Sequence, residues 1–177
     1  MPHRPRQGFR KGTVHVTVRL RREVWNLRTY RCFRALKCAF ARGCERFGFR
    51  LIEFSVQGNH IHMIVEAPDP VALGRAMKGL EVRMARALNK VMSRKGPVFA
   101  DRYHAHVLKS PREAWHALRY VLDNWIIHAK RDNRPAPRGV DPYCSEWPDD
   151  GFPLVARAQW WMLRVAVPRV KMRSAAA

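Results

Sequence analysis

The first regular pattern of apolar and polar positions is an alternation over residues 13–20, where β-branched side chains alternate with polar ones. This alternation predicts a half-buried strand. From Thr29 to Phe47 the apolar side chains instead recur at helical spacing among arginines and lysines, which predicts an amphipathic helix that closes near Gly48. His15 lies alone in the first strand, where a single histidine is usually structural, so we assign it no function.

Two further apolar segments, residues 49–56 and 60–66, are separated by a tight turn at 57–59 and predict a hairpin. Because side chains alternate along a strand, His60 and His62 lie on one face, and the apolar residues between and after them lie on the other. The sequence therefore predicts two imidazoles side by side, in an arrangement suited to chelation.

The second half of the chain contains two clear helix starts. Asp69 followed by Pro70 predicts a helix that runs to about Met92. Residues 98–108 alternate irregularly and predict a fourth strand or an extended segment. Ser110, with proline next and glutamate three residues later, forms a capping box and begins a helix that we expect to run to about Arg131.

The predicted order is β-α-β-β-α-β followed by a capped helix, which indicates an α+β fold of the ferredoxin-like sandwich type. We divide the chain into a flexible basic arm at 1–12, one domain at 13–131 and a C-terminal extension at 132–177. Within the extension, proline-rich residues 132–153 predict a loop and residues 154–167 a short docked helix.

The charge of the chain points to a polyanionic partner. Lys and Arg number 34 against 14 Asp and Glu, a net charge of +20 spread over most of the chain. Arginine dominates, and its planar fork binds phosphate bidentately, so nucleic acid is favoured over a membrane surface. No run approaches the roughly 18 apolar residues of a transmembrane helix, and no apolar signal core follows the basic N-terminus. We expect a cytosolic protein.

The cysteines do not indicate a metal site. Cys32, Cys38 and Cys44 are spaced six residues apart, which rotates each by about 120° from the one before on a helix, so they do not share a face. With Cys144 far away and no CxxC pair, we expect reduced structural thiols.

The capped helix offers a nucleophile and a third ligand for the histidine pair. Tyr120 and Asn124 are four residues apart and lie one turn apart on one helical face. An amide oxygen is a hard neutral ligand that suits Mg²⁺ or Mn²⁺, whereas zinc prefers cysteine or a further histidine. A phenol can attack phosphorus while a divalent cation neutralises the non-bridging oxygens.

Each of these features has an ordinary structural alternative. An HxH pair in a strand is often structural, and a tyrosine on an amphipathic helix belongs to the core or its rim by default. The combination, in this order and in a chain of this charge, is what favours catalysis.

Four segments together resemble the single-tyrosine transposases of the insertion-sequence type, especially their REP-associated branch. The resemblance spans about residues 10–130. It rests on the following segments: the first strand at 11–17, Gly58-Asn59-His60-Ile61-His62, residues 96–103, and the helix segment 119–124. These relatives are histidine–hydrophobe–histidine (HUH) endonucleases that cut single-stranded DNA.

The resemblance implies a mechanism for named residues. His60 and His62 bind the metal, Asn124 completes the ligand set, and Tyr120 attacks the scissile phosphate to form a 5′-phosphotyrosyl intermediate and a free 3′-hydroxyl. Relatives usually read Pro-Asn before the metal motif and often Asn-Pro after the tyrosine. Here the second pair is Asn124-Trp125, so we expect the helix to continue through Trp125. Asp123 is an alternative ligand, but we prefer Asn124.

The expected partner is single-stranded DNA flanked by a hairpin. We expect the helix at 70–92 and the segment after it to contact the DNA backbone, although a solvated basic face is the alternative. The predicted contacts are Arg75, Lys78, Arg83, Arg86, Arg102, Tyr103 and His104. Both a monomer and a homodimer stay open, because related transposases can assemble one site from two subunits.

Two other functions compete with a transposase. One is a non-catalytic nucleic-acid-binding module, either a domesticated relative or an RNA binder, but such a protein has no need of all four site residues. The other is a metal-dependent hydrolase that uses only the histidine pair, but no acidic or histidine base is predicted beside that pair.

Overall fold

The computed structural model describes residues 8–135, 137–146 and 153–174, with side chains up to residue 167 in the final helix. Most of the predicted basic arm and parts of the predicted extension lie outside the described residues. Within them no helix is both long enough and apolar enough to cross a membrane.

An antiparallel sheet forms the centre of the described chain. Its strands are β1 (Gly12–Arg19), β2 (Glu45–Arg46), β3 (Phe49–Val56), β4 (His60–Ala67) and β5 (His104–Leu108), in the spatial order β2-β3-β4-β1-β5. The four longer strands follow the arrangement of a ferredoxin-like sandwich. The predicted α+β fold is therefore confirmed.

Helices cover both faces of this sheet. The helices are α1 (Tyr30–Ala41), α2 (Pro70–Val91), α3 (Pro111–Leu122), α4 (Asn124–Arg131) and α5 (Trp161–Ser174). The side chains of α1 and α2 share one core with Val14, Val16, Ile61 and Met63. Those of α3 and α5 pack on the other face against Ile52, Ile64 and Leu108.

The two predicted helix starts are confirmed by their caps. The Asp69 carboxylate accepts hydrogen bonds from the N–H groups of Val71 and Ala72, both at 2.8 Å. The Ser110 hydroxyl accepts one from the N–H of Glu113 at 3.1 Å. Each cap satisfies backbone donors that have no partner within the helix.

The predicted C-terminal end of the first helix is wrong. The helix expected from 29 to 47 ends at Ala41, because residues 45–46 pair with the start of β3. Phe47 and Gly48 form the loop between β2 and β3. Their φ angles of 55° and 76° are both left-handed, as a tight two-residue hairpin loop requires. Within the fourth strand or extended segment expected at 98–108, the strand itself covers residues 104–108.

The helix expected at 154–167 begins instead at Trp161. Ahead of it, the Ala156 N–H donates to the Leu51 carbonyl at 2.7 Å. The buried Glu66 carboxylate accepts the N–H groups of Gln159 and Trp160 at 3.1 and 2.9 Å. These bonds hold residues 156–160 against the sheet, so the helix begins only after them.

The capped helix also does not continue through Trp125, contrary to our expectation. It breaks at Asp123, whose φ of −87° and ψ of 3° lie outside the helical range. The Asp123 carbonyl accepts hydrogen bonds from the N–H groups of both Ile126 and Ile127. Aspartate is a poor helix-interior residue because its side chain competes for local hydrogen bonds. The break places Asn124 at the first turn of a new helix.

Candidate active site

Strand β4 presents His60 and His62 on the face covered by α3. Ile64, two residues further along, packs in the core beneath α3, whereas Ile61, Met63 and Val65 lie in the opposite core. The centroids of the His60 and His62 rings are 4.8 Å apart. The strand period therefore sets the two imidazoles side by side.

Both imidazoles are held through their Nδ1 atoms. His62 Nδ1 lies 3.1 Å from Thr17 Oγ1 and 3.2 Å from His15 Nε2. His60 Nδ1 lies 2.9 Å from Asn59 Oδ1. An Nδ1–H that donates to such a partner fixes the tautomer and leaves Nε2 with a free lone pair.

The low pKa values of these histidines keep them neutral near pH 7. Burial, followed by the charges of His128, Arg19 and Arg131, lowers the pKa of His60 to about 4. Burial, followed by the neighbouring histidines, lowers the pKa of His62 to about 3. A neutral imidazole has the lone pair that a metal ligand needs.

Tyr120, near the end of α3, lies beside the pair. Its ring centroid is 5.2 Å from that of His62 and 5.9 Å from that of His15, both in edge-to-face contact. The residue is 42% exposed, so its ring stands at the surface of the site. This position leaves the phenol accessible to a strand that crosses the site.

Asn124 is fully buried at the start of α4. Both polar atoms of its amide lack a hydrogen-bond partner among the described residues, and so does His62 Nε2. A buried polar group without a partner is costly unless something outside the protein chain satisfies it. Of these atoms, the His62 imidazole nitrogen and the Asn124 amide oxygen are of the kind that a divalent cation accepts as ligands, whereas the amide nitrogen is not.

Asp123 is engaged elsewhere. Its carboxylate accepts hydrogen bonds from Arg119 Nε and Nη2 at 3.2 and 3.1 Å. The buried, unpartnered amide next to it is therefore better suited to serve as a ligand than this paired carboxylate.

Two histidines near the site were not assigned a function from the sequence. His15 was interpreted as structural, yet it contacts both His62 and Tyr120. His128 lies four residues after Asn124, and its ring centroid is 5.6 Å from that of His60. Extending the spacing of Tyr120 and Asn124 by one more turn would have found His128, whereas finding His15 requires the pairing of β1 with β4.

Histidine, cysteine and acidic side chains do not form a further metal centre in the described part of the chain, where no three of them cluster suitably. The four cysteines are free in the structure.

The predicted DNA contacts fall into three groups. Arg75, Lys78 and Arg86 are exposed on α2, on the sheet face opposite the histidine pair, and the Arg83 guanidinium there donates to the Gly79 carbonyl at 2.8 Å. Arg102 and His104 are exposed at the start of β5. Tyr103 is wrong as a surface contact, because it is 8% exposed and packs in the core.

Comparison with known proteins gives one family match and two similar solved structures. The family described as IS200-like transposases matches residues 10–123. A solved REP-associated tyrosine transposase bound to a REP hairpin aligns with a TM-score of 0.62 and 19% identity, covering 90% of this chain and 100% of the other. A chain described as a transposase from Deinococcus radiodurans R1 aligns with a TM-score of 0.47 and 15% identity, over 77% and 100%. No curated protein matches significantly.

Proposed function

The chain belongs to the family of IS200-like transposases, and on this basis we propose that it is a metal-dependent endonuclease and strand transferase for single-stranded DNA. The observation that carries the proposal is that the exposed Tyr120 ring contacts His62, whose Nε2 has no hydrogen-bond partner among the described residues. The buried Asn124 amide, one turn after Tyr120 in sequence, also has none among them. A protein that only binds DNA has no use for this costly arrangement.

Tyr120 is the proposed nucleophile. Its phenolic oxygen forms a bond to the scissile phosphorus, and the bond from phosphorus to the 3′ oxygen breaks. The phenol loses its proton and the leaving 3′ oxygen gains one, so the products are a 5′-phosphotyrosine and a 3′-hydroxyl. Because the phosphotyrosyl bond retains the energy of the phosphodiester, a 3′-hydroxyl can later reverse the reaction on another strand end.

His60, His62 and Asn124 would hold the cation, which we propose to be Mg²⁺ or Mn²⁺. When bound, such an ion neutralises charge on the non-bridging phosphate oxygens. Thr17 and His15 act as positioning residues, because they engage His62 Nδ1 and so direct its Nε2 away from the strand beside it.

The proposed substrate is DNA with a hairpin next to an unpaired segment. The family resemblance implies this substrate, and the similar solved structure is of a transposase bound to a REP hairpin. The net charge of +20 suits a nucleic-acid partner. We further propose a cytosolic location, with the monomer and the homodimer as the two assemblies to distinguish by measuring mass in solution.

The deciding experiment uses end-labelled hairpin DNA, with Mg²⁺ or Mn²⁺, and a denaturing gel. We expect the wild type to form a covalent protein–DNA adduct and Tyr120→Phe to form none. Tyr30→Phe is the matched control, because Tyr30 is 74% exposed at the start of α1 and lies on the other helix layer.

Other results would point to the competing functions. DNA binding without any adduct or cleavage in the wild type indicates a non-catalytic binding module. Cleavage that persists in Tyr120→Phe removes the tyrosine from the mechanism and indicates a hydrolase that uses the histidine pair.

A further inference from the structure

A cleft of about 760 Å³ has His60, but not Tyr120, among its lining residues. Its walls are the segment around Asn26 and Arg28, the β3–β4 turn at 57–59, and α4 with the residues that follow it. His128 and Trp125, both on α4, line it as well. The cleft therefore opens directly from one of the two proposed metal ligands.

The two imidazoles separate this cleft from Tyr120. The Tyr120 ring contacts His62 and His15, whereas the His60 ring contacts His62 and His128. His60 lines the cleft and Tyr120 is on the His62 side. A phosphate bound at the pair would thus have the phenol on one side and the cleft on the other.

In-line displacement then assigns an occupant to the cleft. The attacking and leaving oxygens lie roughly opposite each other across phosphorus. With the phenolic oxygen of Tyr120 attacking from the His62 side, the leaving 3′ oxygen lies on the His60 side. The nucleotides attached to that oxygen continue into the cleft.

The cleft has the chemistry to hold an unpaired strand. Its lining residues include three arginines, Arg28, Arg131 and Arg134, and one carboxylate, that of Asp132. Arg28 is itself paired with the buried Asp141 carboxylate through two hydrogen bonds of 2.8 Å, so Arg131 and Arg134 supply the cationic excess. Asp132 accepts from Arg134 Nη2 at 2.9 Å, and Arg131 Nη2 donates to His128 Nδ1 at 2.8 Å. These contacts hold the cationic groups in place before DNA arrives, and Trp125 adds an aromatic surface of the kind on which bases stack.

Resting on the proposed function, we infer that this cleft is the binding site for the strand that leaves with the 3′-hydroxyl. By retaining that strand after cleavage, it keeps the 3′-hydroxyl available for rejoining. The strand joined to Tyr120 follows a different path, on the His62 side.

Photo-crosslinking tests the occupant directly. Hairpin DNA with unpaired flanks on both sides carries 5-iodouracil at one position at a time, and peptides crosslinked to the full-length protein are identified by mass spectrometry. We expect the peptide that spans residues 125–134 to crosslink to positions on the 3′-hydroxyl side of the mapped cut. Crosslinks to this peptide only from the other side of the cut would overturn the inference.

Strand retention tests the function of the cleft. After adduct formation, release of the labelled 3′-hydroxyl strand is followed by fluorescence anisotropy. We expect Trp125→Ala and Arg134→Gln to release it about tenfold faster from whatever adduct each variant forms. Arg134→Gln is a surface change that should leave folding intact. Arg46→Gln is the control, since Arg46 pairs at the opposite end of β3 from the cleft.

The outcomes separate the two proposals. Adduct formation with unchanged strand release in both cleft variants refutes the cleft assignment and leaves the proposed function standing. Absence of any adduct in the wild type refutes the proposed function and the leaving-strand assignment with it. In that case crosslinking still reports whether the cleft binds single strands.

Discussion

His15 and Thr17 approach the same nitrogen of His62, and these contacts fix the orientation of a side chain that we propose as a metal ligand. We predict that the double variant His15→Leu/Thr17→Val weakens Mn²⁺ binding about tenfold, because outer partners of a metal-binding histidine typically contribute that much. Each single variant should lose less, since the other partner stays. Isothermal titration calorimetry on the purified protein measures the affinity.

His106→Leu provides the control for this prediction. His106 lies opposite His15 on the neighbouring strand, but its Nε2 bonds to Glu113 Oε1 at 2.6 Å rather than to His62. Unchanged affinity in the double variant would show that the contacts to His62 Nδ1 serve only packing.

The buried histidines also predict how the stability of the metal-free protein depends on pH. Burial is the main reason that the pKa values of His15 and His60 fall to about 4 and that of His62 to about 3. The unfolded chain binds protons at these residues near pH 6.5, whereas the folded protein does so only well below pH 5. Stability is therefore fully present above about pH 6.5 and is lost as the pH falls.

Urea unfolding in the presence of EDTA measures this loss. Between pH 7 and pH 5 we expect the free energy of unfolding to fall by on the order of 1 kcal/mol for each of the three histidines. Carboxylates titrate mostly below this window, so they contribute little to the change. A free energy of unfolding that stays level from pH 7 to pH 5 contradicts the prediction.

The break between α3 and α4 gives two adjacent residues different roles. Asp123 is bound to Arg119, whereas Asn124 is buried and its amide has no hydrogen-bond partner in the part of the chain that the structure describes. We predict that Asn124→Ala slows adduct formation about 100-fold or more, because a properly held cation contributes several kcal/mol to such a transition state. Asp123→Asn, the matched neighbour, should change the rate by less than about fivefold. Quantified adduct formation over time compares the two.

The Asn124→Ala and Asp123→Asn variants also test whether Asn124 is a metal ligand or a residue that supports the fold. Asn124→Ala removes a buried amide that has no partner, so the metal-free variant should unfold at a temperature close to that of the wild type. A large fall in the unfolding temperature would instead show that Asn124 supports the fold. A stronger effect of Asp123→Asn than of Asn124→Ala on adduct formation would reverse the ligand assignment.

The elements of this site differ in how far the sequence predicts them. Strand β4 is predictable because alternation alone puts His60 and His62 on one face, and the cap at Ser110 is local chemistry within four residues. The role of His15 is not, because it depends on the register in which β1 pairs with β4, and 47 residues separate His15 from His62. The break at Asp123 lies between two segments whose apolar residues both recur at helical spacing, so this periodicity does not indicate the break.

At the level of the whole molecule, the basic residues lie on both sides of the sheet. The exposed Arg75, Lys78 and Arg86 of α2 are on the face opposite the histidine pair, whereas the arginines of the cleft adjoin that pair. If both sets contact one DNA molecule, that molecule must pass around an edge of the sheet. A long hairpin can do so, but a short unpaired strand that fills only the active site cannot.

The salt dependence of DNA binding tests whether α2 takes part. Each phosphate contact adds roughly 0.7 to 0.9 to the slope of log affinity against log salt, because counterions are released. We predict that Arg75→Gln/Lys78→Gln lowers this slope by about 1.5 for hairpin DNA and leaves it unchanged for a short unpaired oligonucleotide. Arg34→Gln/Arg42→Gln is the control, with two exposed arginines removed from α1 and its C-terminal end on the same helix layer. If the wild type and the α2 variant have equal salt slopes on both DNAs, the basic residues of α2 contact solvent and not DNA. An equal fall in both double variants would indicate that DNA senses the overall charge and not a specific path along α2.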